Sequence, residues 1–531
     1  MRLLHGRDDA GGTRLCGERR LGRPARDRRG ARRPRLPVYR LREDHRGRGR
    51  GSPRGLVRPG DHGGQPGHDQ HRRCEVKAVG ARLPRYDGVE HVTGRTTFVD
   101  DVRIPGTLWV KALRSPVHRA DITALDTGAA ESMKGVHAVI TWKDVPLLEY
   151  GHLSALGIPA DEPLLAKDDL RYKGQPIALV AAEDEETALE AVDAIKLDVS
   201  EKPALLDVRQ AFDADAPVIH QWGNWYPHFE AEMDRRQIRK GDIDKAFDQA
   251  DTIVQGVYRP AAIEHVPLET QVCQVVPEAS GRLTIYSCTQ ALYFSMGVVA
   301  AHLQIPLNRL KLVGGTVGGG FGGKVDTATE TMCSLLALKS GRPVKWRWTR
   351  EEEFLCSSTR APWHMEIADA VTSDGWIVGR KMLTLHDSGA YARFSPYGLT
   401  KHSFHHTGAY TIPNLSFDGY VVFTNRVPTT AMRGFGVTSV SFAAETHMSR
   451  VAEVLGLDPY EVRLKNANRI GDTSPNGVVY TDPSTVPTIQ AIADAMGHEL
   501  SAEYRTMNRH QREGELLPEH LVTQVGNPEE H

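Results

Sequence analysis

Apolar positions change period between residues 172 and 196. "YKGQPIALVAAED" (172–184) is a glycine turn followed by an unbroken apolar run, the pattern of a strand covered on both faces. "EDEETALEAVDAIK" (183–196) then places Ala188, Leu189, Ala191, Val192 and Ile195 on one helical stripe. Upstream, "GRTTFVDDVRIPGTLWVKALRSPVHRADITALD" (94–126) reads as short strands broken at Pro105-Gly106 and Ser115-Pro116. Residues 78–205 are therefore expected to form one α+β domain.

Residues 206–230, with Pro217, Trp222, Trp225 and Pro227, read as a connector. Over 231–475 strands mix with helices. "LTIYSCTQ" (283–290), "RLKLVGG" (309–315) and "FDGYVVFTN" (417–425) have strand character. A helix is expected from about Val440 to Gly456. Asp458-Pro459 opens another, with proline where its missing N–H costs nothing. Thr327 and Glu330 have capping-box spacing ahead of Met332, Leu335, Leu336 and Leu338, which predicts a helix there. No internal repeat is present, and residues 476–531 read as a tail.

Composition changes this picture at one end only. The chain has 531 residues, 40% hydrophobic and 25% charged, with net charge -1. No run of about 18 apolar residues predicts a membrane helix, and no Sec-type signal is visible at the start. Residues 1–74, however, hold 21 arginines, eight acids and no lysine, without a sustained apolar period. "HRGRGRGSPRG" (45–55) has the look of a nucleic-acid-binding tail. The six cysteines (16, 74, 273, 288, 333, 356) include no CxxC or CxC pair. This speaks against a zinc ribbon, an iron–sulfur cluster or a disulfide framework in this chain, and fits reduced cytoplasmic thiols.

The densest candidate chemistry is "GGTVGGGFGGKVD" (314–326). A strand, a glycine loop and a helix N-terminus in succession suit an anion, because free N–H groups point at it. Gly318, Gly320 and Gly323 satisfy GxGxxG, and Gly318, Gly323 and Lys324 most of a P-loop. The P-loop fails at Val325, where a hydroxyl must meet Mg²⁺. The dinucleotide reading fails because "RPVKWRW" (342–348) brings no acid about twenty residues on. A tight packing turn stays open.

"SCTQ" (287–290), "VGGGFGGK" (317–324) and "TTAMRGFG" (429–436) occur in this order, with "GRTTFVDD", "RSPVHRA", "YKGQPIA" and "EHVPLE" ahead of or around them. Together they resemble the large, molybdopterin-binding subunit of the xanthine dehydrogenase and aldehyde oxidase family, over about residues 78–495. The resemblance implies an α+β fold: a hammerhead-like domain (78–205), a connector, then the first of two molybdopterin-binding domains (231–475), behind a disordered basic head. It implies a molybdenum–molybdopterin cofactor, in the cytosine dinucleotide form, with 2Fe–2S and FAD on partner subunits. Gln290 matches the glutamine that donates to the metal's oxo group. Gly319, Gly320, Phe321, Gly322 and Gly323 match the loop beside the metal, and Arg433 and Gly434 a second cofactor loop. Phe435, Val325 and Lys401 match the substrate pocket. Apolar Val325 removes an acid that would hold a purine, which favours an aldehyde or N-heteroaromatic substrate over xanthine. No side chain is expected to ligate the metal. His402, His405 and His406 are expected to be exposed or core-satisfied, and "DSGAYARFSPYG" (387–398) lacks the cysteine of carbon monoxide dehydrogenases.

The chain departs from the family in two places. Val437, Thr438 and Ser439 stand where Pro-Gln usually follows "RGFG". The second cofactor domain and its general-base glutamate have no counterpart, so no catalytic residue is assigned. The chain alone is expected to be inactive, completed by a separate chain or else the product of a truncated gene. The head has an explanation in the genetic code. Codons exist for "LPVYRLREDHRGR" (36–48) that, read one base later, give CRCTGYEKIIEA, which resembles the second cysteine pair of the family's 2Fe–2S subunit. Residues 1–77 are thus expected to be out-of-frame sequence, preferred over an arginine-rich nucleic-acid-binding protein.

Overall fold

The computed structural model describes residues 81–147, 149–150, 160–227, 234–327 and 329–502. The expected head (1–77) and the part of the expected tail beyond 502 lie outside those residues. So do 228–230 of the connector.

After α1 (Gly88–Val92), a turn with Gly106 at φ +74° feeds β1 (Leu108–Arg114). β2 (Ala120–Asp126), α2 (Gly128–Glu131), β3 (Val136–Ile140) and three two-residue strands follow: β4 (Glu149–Tyr150), β5 (Glu162–Pro163) and β6 (Asp169–Leu170). β7 (Pro176–Ala182) is buried at every position, as its unbroken apolar run requires. α3 (Glu185–Asp193) starts where the Asp184 carboxylate accepts the Thr187 N–H. Its buried stripe is narrower than expected: Ala188 and Ala191 are buried, but Leu189 is 51% exposed. At 3.6 residues per turn Leu189 sits about 160° round from Ala191, so one narrow contact does not cover both. β8 (Lys196–Glu201) closes the segment.

β9 (Arg236–Lys240), α4 (Ile243–Asp248), β10 (Thr252–Tyr258), β11 (Val272–Pro277) and β12 (Leu283–Ser287) open the second segment. α5 (Leu292–Leu303), β13 (Leu310–Gly314), α6 (Glu330–Ser340), β14 (Val344–Arg347) and α7 (Arg350–Cys356) come next. β15 (Trp363–Val371), β16 (Ile377–Gly389), α8 (Ser395–Phe404) and β17 (Asn414–Phe423) precede α9 (Val437–Leu455), α10 (Pro459–Asn466) and α11 (Thr485–Ala495). α9 ends on Gly456 at φ +66°, and Asp458 accepts the N–H groups of Tyr460 and Glu461 to start α10. The expected capping box at Thr327 does not form. α6 begins at Glu330 with Thr329 at its cap, and the Glu330 carboxylate turns inward to accept the Ser287 hydroxyl at 2.6 Å.

Among the described residues the largest sheet has the order β13-β12-β11-β14-β1-β7-β3. β1 pairs parallel to β14 on one side and antiparallel to β7 on the other. Strands of the two expected domains therefore share one sheet. They also share one core, in which Leu108, Val110 and Leu179 pack with Val275, Leu336 and Trp346. A five-stranded sheet, β10-β15-β16-β17-β9, carries the second core.

Candidate cofactor site

β12 and β13 run parallel, with Ser287 opposite Gly314, so the chain leaves both strands at the same edge. That register sets the segment of Gln290 beside the glycine loop. The Gln290 N–H donates to the Lys324 carbonyl at 2.9 Å. Its side-chain Oε1 accepts from the N–H groups of Gly322 (3.0 Å) and Lys324 (3.3 Å). With the carbonyl end held by two donors, the Nε2 end of this exposed side chain is left as the donor facing outward.

Gly319 and Gly322 lie at φ +99° and +102°, and Phe321 between them at +50°. A Cβ at Gly320 would overlap the Gln290 amide, and one at Gly322 the Ala431 carbonyl. The first close approach these glycines permit is thus to the protein's own loops. The second loop is joined on directly, for the Arg433 N–H donates to the Phe321 carbonyl at 2.8 Å. Gly322 and Gly323 use their N–H groups within the protein, on Gln290 and Gly320. Among the described residues no partner accepts from the N–H of Gly319, Gly320, Phe321 or Gly434. Phe321 is 45% exposed. The surface therefore offers unpaired amides beside an outward glutamine donor.

Of the expected site residues, Gln290, Gly319, Gly320, Phe321, Gly322, Gly323, Arg433 and Gly434 come together. Val325 is half-buried behind the loop, its N–H on the Gly322 carbonyl. Phe435 and Lys401 meet at Tyr397 on α8. The two rings are 5.5 Å apart, and the Lys401 ammonium lies 5.3 Å from the Tyr397 ring centre. Val437, where the sequence leaves the family pattern, is the first residue of α9. Lys324 is fully buried and ion-paired with Glu269 at 2.8 Å, so it is not presented to a phosphate. His402 and His406 are buried: His402 stacks on Trp363, and burial pushes His406 down to about 4.

Three residues beneath the loops were given no role by sequence reasoning. The Glu269 Oε2 accepts the Gly318 N–H as well as Lys324. His265, kept neutral by burial, bonds through Nε2 to the Ala431 carbonyl at 2.8 Å, and its Nδ1 is 2.8 Å from where a Gly323 Cβ would stand. Asp326 accepts from Thr430, Ser358 and Arg393. The available signal was their place in quoted stretches: His265 and Glu269 in "EHVPLE" (264–269), and Asp326 at the end of the glycine loop.

Residues 93–203 match the family described as aldehyde oxidase and xanthine dehydrogenase, a/b hammerhead domain, and residues 226–467 match the molybdopterin cofactor-binding domain. The chain is 33% identical over 405 residues to the nicotinate dehydrogenase large molybdopterin subunit of Eubacterium barkeri, covering 76% of this chain and 93% of that one. It is 32% identical over 432 residues to the nicotine 6-hydroxylase large subunit of Paenarthrobacter nicotinovorans, covering 79% and 52%. The solved aldehyde oxidoreductase from Desulfovibrio gigas superposes with a TM-score of 0.73 at 32% identity, over 78% of this chain and 46% of that one. The chain thus spans about half the length of several relatives and nearly all of the Eubacterium subunit.

Proposed function

The chain belongs to the xanthine dehydrogenase and aldehyde oxidase family of molybdopterin-binding large subunits, and from that premise we propose that its three loops form one wall of the cofactor pocket in a multi-subunit molybdenum hydroxylase. The observation that carries this is the junction of Gln290, the glycine loop and the arginine loop, with unpaired amides on its exposed side. Those residues fit an oxygen-bearing cofactor: the unpaired amides at Gly319, Gly320 and Phe321 are donors for it, and Gln290 adds an oriented N–H donor. When bound, molybdenum–molybdopterin supplies a two-electron oxidation with water as the oxygen source.

The chain's own residues bind and orient. Gln290 donates from Nε2 to an oxygen of the group, and its geometry is fixed before binding. Phe435, backed by Tyr397, offers a face to a flat substrate. Val325 brings no acid for a purine, which favours an aldehyde or N-heteroaromatic compound. Glu269 and Asp326 are committed to bonds beneath the loops, so the proton-abstracting base is assigned outside them. Among the described residues no group of His, Cys, Asp or Glu is placed to hold a metal ion. By likeness to the family, electron transfer is assigned to a 2Fe–2S subunit and an FAD subunit, and the cofactor to its cytosine dinucleotide form. The Eubacterium relative, itself called a large molybdopterin subunit, supports a working unit completed by a separate molybdopterin-domain chain. Among the described residues no helix is long and apolar enough to cross a membrane; the proposed setting is the cytoplasm.

The test is to co-express the full chain with the subunits encoded beside it, then to measure molybdenum and released pterin nucleotide per complex. Near-stoichiometric metal and aldehyde- or heteroaromatic-dependent dye reduction are expected. Gln290→Ala is expected to slow turnover about 10²-fold, as loss of one oriented donor does. A complex purified without molybdenum would refute the reading.

A further inference from the structure

We infer that Asp326 is a positioning residue for the cofactor wall, and that through Arg393 it makes the spacing of the two cofactor loops depend on the hammerhead segment. The inference rests on the functional reading for its purpose, though not for its geometry. Asp326 follows the glycine loop directly and is 4% exposed. Its Oδ1 accepts the Thr430 hydroxyl at 2.7 Å, three residues ahead of Arg433. Its Oδ2 accepts from the Ser358 hydroxyl and from Arg393 Nη1 at 3.0 Å. The other edge of the same guanidinium makes two bonds to Glu162 on β5, from Nε at 2.8 Å and from Nη2 at 2.6 Å. One line of charge-assisted bonds therefore runs from the arginine loop, through the end of the glycine loop, into the first segment.

Two further features show the line is held under constraint. Arg393 sits at φ +38°, a conformation that a non-glycine residue keeps only where its surroundings over-determine it. The adjoining Ala392 N–H is also claimed by the first segment, donating to Asp161 Oδ2 at 2.6 Å. Both ion pairs are largely out of water, with 12% and 14% of the Arg393 and Glu162 side chains exposed and 3% of Asp326. Taking away one member strands the others in a low-dielectric setting. An asparagine at 326 loses the charge that Arg393 pairs with, and it holds Thr430 as well only if that hydroxyl reverses from donor to acceptor.

Hydrogen exchange on the full, cofactor-free chain tests the geometry. Asp326→Asn, Glu162→Gln and Thr430→Val are each expected to speed exchange at least fivefold in peptides spanning 318–325 and 428–436. Thr430→Ser keeps the hydroxyl and is expected to match the wild type. Ile285→Ala, a core change away from the network, is expected to lower global stability without singling out those peptides. Unchanged exchange in the two loops for Glu162→Gln and Thr430→Val, or equal loss in Ile285→Ala, overturns the inference even if Asp326→Asn fails to fold. In the co-expressed complex, Asp326→Asn is expected to retain at most a third of the wild-type molybdenum; equal retention overturns the positioning role. A wild-type complex without molybdenum would instead count against the functional reading, and the exchange result would stand.

Discussion

Gly322 and Gly456 both have positive φ, at +102° and +66°, yet they differ in what a methyl group would meet. At Gly322 it would run into the Ala431 carbonyl; at Gly456 nothing lies within 4 Å. Gly322→Ala is expected to cost about 3 kcal/mol, strain plus separation of the loops, and Gly456→Ala about 1 kcal/mol, strain alone. Urea midpoints of the two variants check the contrast. Asp387 gives a pH-dependent case. Burial holds its carboxyl up to about 6, against an ordinary 3.8. The folded chain keeps a proton there that the unfolded chain gives up, so this stabilisation is full below 3.8 and lost as pH rises through 6. Asp387→Asn removes the dependence, and should gain about 2–3 kcal/mol on the wild type between pH 4 and pH 7, read from denaturation curves at both. Gln290 and Arg433 were legible in the letters because each belongs to a local motif. Asp326 and His265 also stand in such motifs, but their roles were not legible, since their partners lie 32 to 166 residues away and leave no local period.

Buried charge decides how the glycine loop is supported. Lys324 is fully buried against Glu269, which also holds the Gly318 N–H. Glu269→Gln keeps that N–H bond but leaves an unneutralised ammonium, at a cost of about 3 kcal/mol. Adding Lys324→Met is expected to recover most of it, and a double-mutant cycle in unfolding free energy checks the coupling. α7 offers a simpler case: the Thr349 hydroxyl accepts the Glu352 N–H, and Glu352 returns a bond to the Thr349 N–H. Thr349→Ala should cost about 1 kcal/mol by thermal unfolding. Elements such as β12, β13, β17 and α9 could be read from apolar runs and turn residues. The start of α6 could not, because Glu330 exchanges a local cap for a tertiary bond to Ser287 that spacing alone does not reveal.

The hammerhead and cofactor segments are one folding unit in hydrogen-bonding terms. β1 is flanked by β14, with Leu108 opposite Val344, 236 residues later in the chain, and that pairing has no trace in either stretch read separately. The connector at 206–230 separates the two segments along the chain, yet strands from both lie in one sheet. Calorimetry of the full chain is expected to show a single transition for both segments, with calorimetric and van't Hoff enthalpies in agreement. Two resolved peaks would contradict it. The same sandwiched strand limits how relatives can be recombined. A chimera that takes its front end from one enzyme and its remainder from another must transplant β1 between foreign neighbours on both edges. Its crossover point will succeed or fail on matched ladder register, not on the choice of linker.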